Sequence, residues 1–116
     1  MTLVDTSVWV DHFRRDNLKL HKLLEEGEVC THPMVLGELA CGNLPQRTRT
    51  LALLTFLPSL QPLSDQVVLQ AVELRRLWSR GIGWTDAHLL CAAMIARVPL
   101  WTLDRRLASI AEQTHR

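Results

Sequence analysis

Three short apolar runs, at 2–4, 28–31 and 98–103, are separated by longer stretches in which hydrophobic residues recur every three or four positions. This alternation does most to limit the folds open to the chain. Short apolar runs read as strands buried on both faces, and the segments between them as helices. Strands alternating with helices are joined most easily in parallel, so the order predicts an α/β fold with a mostly parallel central sheet and helices on both faces. Helical spacing falls over 6–14, with Val8, Trp9 and Phe13, and over 18–26, where Leu repeats and Gly27 offers a C-cap. It continues over 33–42, with Pro33 in the first turn, and over 46–57. A helix over 65–80 carries Val68, Ala71, Leu74 and Trp78, and Thr85 reads as the N-cap of a helix running to 96 that is apolar on nearly every face. A short strand at 60–63, weakened by Pro62, and a last helix opened by Asp104 with Leu107, Ile110 and Ala111 as its inner stripe complete the pattern.

The 116 residues suit one domain, 1–116, without linker, internal repeat or low-complexity tract. Hydrophobic residues at 47% and charged residues at 22% exclude a collagen-like, mucin-like or largely disordered chain. No window offers the roughly 18 apolar residues of a membrane span. The first residues lack the basic start of a signal or transit peptide, so a cytoplasmic protein is expected. Cys30, Cys41 and Cys91 are odd in number and lie in apolar settings, where reduced thiols pack as small hydrophobes and no disulfide is expected. Thirteen Lys and Arg against twelve Asp and Glu give a formal charge of +1, which excludes a polybasic coat for RNA but permits a local phosphate-binding patch. All the cations except Lys19 and Lys22 are Arg, the better planar phosphate ligand, with doublets at 14–15, 75–76 and 105–106. Solvated helix surface is the simpler account of those doublets.

Four acids stand where ions are expensive. Asp5 follows Leu3-Val4 and Asp104 follows the 98–103 run, each at the carboxyl end of a strand. Glu38 is the only formally charged residue between His32 and Arg47, and Asp86 the only one between Arg80 and Arg97. Taken singly, Asp5, Asp86 and Asp104 are explained as helix caps, and Glu38 as the partner of an Arg from elsewhere. Taken together they have a second reading, because ligands of an open parallel sheet bind beyond the carboxyl ends of its strands. If Glu38 and the start of the Asp86 helix face the same crevice, four carboxylates converge. Each like-charged pair at ~4 Å then costs on the order of 4 kcal/mol at an effective dielectric of ~20 unless a cation neutralises it. An all-oxygen set suits hard Mg²⁺ or Mn²⁺, and the chemistry that follows is phosphodiester hydrolysis by metal-activated water.

At these residues the chain resembles a known family. Leu3-Val4-Asp5-Thr6-Ser7-Val8-Trp9, Glu38-Leu39-Ala40-Cys41-Gly42, Asp86-Ala87-His88 and Trp101-Thr102-Leu103-Asp104 are similar to the acidic motifs of PIN-domain ribonucleases, specifically VapC-type toxins of toxin–antitoxin pairs. The resemblance runs from end to end. It implies a doubly wound sheet with Asp5, Glu38, Asp86 and Asp104 as the catalytic Mg²⁺ or Mn²⁺ ligands. It also implies single-stranded or looped RNA as substrate, a small antitoxin protein blocking the cleft, and a homodimer. Many members follow the last motif with a further acid and Phe, whereas Arg106 and Leu107 stand here, so one potential ligand is absent and the number of metals stays open. Thr6, Ser7 and Thr102 either orient Asp5 or cap helices.

Other chemistries fit less well. His88 with Cys91, and Cys30 with His32, suggest zinc but lack the paired-cysteine spacing of structural sites. The phosphate-cradling glycine loops of nucleotide-binding proteins are absent. Trp9, Trp78, Trp84 and Trp101 read as core or dimer contacts, with base stacking open to Trp84 in its Gly-flanked loop. A phosphoryl-accepting signalling domain would want a Lys near the late strands, and both Lys lie in the second helix. A phosphatase with an Asp nucleophile would want a second acid where Ser7 stands. A catalytically weak module that binds RNA or protein is kept open by Arg106.

Overall fold

The structure, a computed structural model, describes residues 1–115. Strand β1 (Thr2–Val4) lies at the centre of a three-stranded parallel sheet, between β2 (Val29–Cys30) and β3 (Leu100–Trp101). Thr2 and Leu3 pair with Val29 and Cys30, while Leu3 and Val4 pair with Leu100 and Trp101 on the other side. The chain leaves β1 through α1 (Thr6–Arg15) and α2 (Leu18–Glu25) to reach β2. It then passes through α3 (Pro33–Cys41), α4 (Arg47–Thr55), α5 (Asp65–Leu74) and α6 (Trp84–Ala96), returns to the opposite side of β1 as β3, and ends in α7 (Arg105–His115). That reversal about β1 is a topological switch point, and ligands of open parallel sheets bind beyond the carboxyl ends of the strands at such a point.

Successive residues of a strand point to opposite faces, and Leu3 and Val4 are both completely buried, so both faces of β1 are covered. The largely apolar sequence of α6 has the consequence expected of it: every residue from Ala87 to Ala93 is buried, His88 among them. Leu89 and Ala93 join the core around the sheet, Ala87 and Cys91 meet Val68 of α5, and Leu90 meets Ile110 and Ala111 of α7. Burying one such aliphatic side chain contributes about 1.5–3 kcal/mol, so α6 is anchored on three sides. The Leu107, Ile110 and Ala111 stripe of α7 is buried as its spacing predicts. Among the described residues no helix is long and apolar enough to cross a membrane.

Several boundaries differ from the sequence reading. The helix expected over 65–80 stops at Leu74. Arg76 takes a left-handed φ of 52°, its N–H bonds Glu73 O, and the N–H of Leu77 bonds Val72 O, a Schellman ending made without glycine. Leu77 is therefore buried, and Trp78 lies off the helix and exposed. Thr85 is not a cap: α6 begins at Trp84 with Gly83 as N-cap. The strand expected over 98–103 is only Leu100–Trp101, because Val98 is used at the end of α6, bonding Ala93 O, and Thr102 turns its hydroxyl to Asp5. At 60–63 there is no strand; the chain touches β2 only through a Thr31–Ser59 bridge just upstream. All three cysteines are free, and Cys41 is exposed where an apolar setting was expected.

Candidate active site

Asp5 ends β1 and caps α1 from an extended backbone, with only 7% of its surface exposed. Its Oδ2 accepts hydrogen bonds from Ser7 Oγ at 2.7 Å and Thr102 Oγ1 at 2.8 Å, with Ser7 N–H further off at 3.4 Å. A hydroxyl has one proton to give, so each of these is committed to Asp5 and uses its lone pairs elsewhere. Ser7 Oγ accepts from Leu103 N at 3.0 Å, and Thr102 Oγ1 accepts from Asp104 N at 3.1 Å. The end of β3 is thereby pinned to the end of β1. Asp104 begins α7, its Oδ1 accepting the free N–H groups of Arg106 at 2.9 Å and Leu107 at 3.1 Å.

Asp86 sits in the first turn of α6, where Oδ2 accepts the Gly83 N–H at 3.1 Å. Burial raises its pKa above the ordinary carboxylate value, the Gly83 bond works against that rise, and the charges of Asp5 and Asp104 add to it. Glu38 comes from the exposed face of α3 and accepts Thr6 Oγ1 at 2.9 Å through Oε1. Thr6 is the neighbour of Asp5, so this bond turns Glu38 toward the same end of β1. The three aspartates thus interact electrostatically, and Glu38 joins them through one hydroxyl.

A common pattern runs through the four. Each carboxylate engages one oxygen with the chain and leaves the other without a donor among the described residues. Among the same residues, no three His, Cys, Asp or Glu side chains gather tightly enough to enclose an ion unaided. The arrangement is an open set of hard oxygen donors with unrelieved repulsion at Asp86. That fits a small divalent cation that keeps several of its waters and takes only one or two carboxylates directly.

The histidines behave otherwise. His32, completely buried, accepts Met34 N–H on Nδ1 at 3.0 Å, which leaves its proton on Nε2. Burial, helped by the neighbouring charge of His88, lowers its pKa. His88 is 2% exposed, lies 3.1 Å from Asp65 Oδ1 through Nε2, and meets Trp84 edge to face at 4.6 Å. The thiols of Cys30 and Cys91 are pushed up by burial, away from the thiolate that zinc requires. The pairing of Asp65 with His88 was missed from sequence; the two are 23 positions apart and no periodicity links them.

Two hollows lie along α1 beside this site, and of the four acids only Glu38 lines one of them. One of about 550 Å³ runs past Thr6, Val10, Arg14 and Glu38 toward Asn43 and Pro45. The other, about 510 Å³, is bounded by Ser7, Asp11, Arg14, Arg15 and Leu103.

Acids from the ends of β1 and β3 and the start of α6, coupled to one another beside a three-stranded parallel sheet, place this chain in a class: it belongs to the PIN-domain family, whose model matches residues 2–113. Among its relatives is ribonuclease VapC32 of Mycobacterium tuberculosis. The proteins from strains CDC 1551 / Oshkosh and ATCC 25618 / H37Rv are each 45% identical over 114 residues, covering 97% of this chain and 92% of the relative.

Proposed function

We propose that residues 1–116 act as one PIN-like unit, a Mg²⁺- or Mn²⁺-dependent endoribonuclease and the toxin of a toxin–antitoxin pair, acting in the cytoplasm. The observation that carries this reading is the shared geometry of Asp5, Glu38, Asp86 and Asp104, each with one oxygen fixed by the chain and one left over at the same end of the sheet. The likeness to ribonuclease VapC32 supports RNA as the substrate. Bound there, a divalent ion would activate water and neutralise charge on the phosphate, for cleavage to 5′-phosphate and 3′-hydroxyl ends.

The chain's own contribution is orientation. Ser7 and Thr102 hold Asp5 in one rotamer, and the backbone amides at 83, 106 and 107 hold Asp86 and Asp104. Thr6 sets Glu38 across the crevice. Fixing the acids before substrate arrives lowers the reorganisation that the reaction must drive. A small antitoxin protein would silence the enzyme by occupying this crevice, and a homodimer is the expected assembly. Cleavage of structured RNA by the purified chain should require added Mg²⁺ or Mn²⁺ and be abolished in Asp5→Asn; unimpaired cleavage by that variant would defeat the assignment. Arg106, where many members carry an acid, favours a second reading as a catalytically weak RNA- or protein-binding module. Metal-independent RNA binding without cleavage would select it.

A further inference from the structure

Acids suited to a cation also repel the RNA strand that must reach them, so a substrate needs an attractive charge nearby. Arg14 stands in that position. It lies two turns along α1 from Ser7, on the same side of the helix, and an α-helix rises about 11 Å in two turns. Its side chain borders both hollows, the one that contains Glu38 and Thr6 and the one that contains Ser7 and Leu103. Three other arginines are engaged by the protein itself. Arg15 bonds Asp11 at 2.6 Å, Arg47 bonds the carbonyls of Ala40 and Gly42, and Arg80 bonds Gln113 at 3.0 Å. Arg14 is exposed and has no hydrogen-bond or ion-pair partner among the described residues.

We infer that Arg14 seats a backbone phosphate of the RNA strand flanking the scissile linkage, with the ridge of Val10 and Arg14 dividing the strand's path between the two hollows. This rests on the nuclease reading for the direction of the strand, but its chemistry is that of a planar guanidinium on a phosphodiester. Arg14 is a positioning residue: it acts on the strand and not on the reacting atoms.

The test is fluorescence-anisotropy binding of a labelled short single-stranded oligoribonucleotide, in Ca²⁺ to hold the acids neutralised, across a salt series. Arg14→Ala should weaken binding roughly five- to tenfold at low salt and reduce the slope of log K against log salt by about 0.7, the loss of one single-strand phosphate contact. Arg14→Lys should restore the slope but only part of the affinity. Arg97→Gln, beyond the other end of α6, should match wild type. In cleavage assays with Mg²⁺, Arg14→Ala should raise KM by the same factor and leave kcat within about twofold. Unchanged affinity and slope in Arg14→Ala, or an equal loss in Arg97→Gln, overturns the inference even where the wild type cleaves RNA. If the wild type fails to cleave in any metal and Arg14→Ala still loses affinity and slope, the nuclease reading falls and the strand site stands.

Discussion

At the ends of β1 and β3, Asp5, Ser7, Thr102, Leu103 and Asp104 are knitted by four hydrogen bonds between 2.7 and 3.1 Å and form one wall of the site. On the α3 wall, Glu38 is exposed and held by one bond from Thr6. Both walls carry carboxylates, yet Asp5 is buried in a polar lattice that joins two strands and Glu38 stands beside an open hollow. The difference assigns separate work to the two walls. On the nuclease reading proposed above, the bonded wall would hold its acids fixed before substrate arrives, and Glu38 would adjust to it.

The sharpest way to break this comparison is to neutralise one acid on each wall. Asp5→Asn should lower kcat for RNA cleavage roughly 100-fold or more, and Glu38→Gln only about tenfold; equal losses in steady-state assays would erase the distinction. Removing the supporting hydroxyls is the next test. Thr102→Val leaves the Asp104 N–H unsatisfied and takes a donor from buried Asp5, for an expected stability loss of about 1–3 kcal/mol by urea titration. Thr6→Val, on the exposed side, should cost about 0.5 kcal/mol or less.

Asp86 offers a test in which sign matters. Its pKa is raised in the folded state, so the native protein favours the neutral acid. Stability then falls as pH rises from the unfolded value through the folded one, and the penalty is complete above the folded value. Asp86→Asn keeps the acceptor for Gly83 N–H and removes that penalty, so at pH 7 without metal its melting temperature should rise by roughly 2–5 °C, the effect of about 1 kcal/mol. Added Mg²⁺ should stabilise wild type more than the variant. A clear drop in the metal-free midpoint would mean that Asp86 serves mainly to hold the helix start.

The smallest expected effect lies away from the acids. His32 has a lowered pKa, so the unfolded chain binds its proton more readily, and stability is lost as pH falls below the ordinary histidine value of 6.5. His32→Asn keeps a cap for Met34 N–H without titrating. Thermal melts between pH 7 and 5 should show a shallower decline in this variant than in wild type; parallel curves would remove His32 from the account.

Much of this molecule was legible in the chain because its physics is local. Apolar runs became strands, the largely apolar 87–93 segment became the buried spine, and acids at strand ends fell together at a switch point. The parts misread are those decided by distant partners. No glycine marks the end of α5, since Arg76 accepts a left-handed backbone that lets Leu77 reach Val72. The last strand is short because Thr102 and Leu103 bond Asp5 and Ser7, some 95 positions away. Ser7 and Thr102 looked ambiguous for the same reason: a hydroxyl after a strand has many possible acceptors, and only the fold selects one. Arg14 read as ordinary surface until the two hollows were seen to meet at it.

Helix α6, enclosed by the sheet, α5 and α7, has no free side along which to slide. Asp86 therefore rides on a helix packed on three sides, and on the metal-binding reading proposed above any tightening of the oxygens around a cation would come from the facing acids. Under that reading, variation that loosens this packing should weaken the response to added Mg²⁺ before it unfolds the chain.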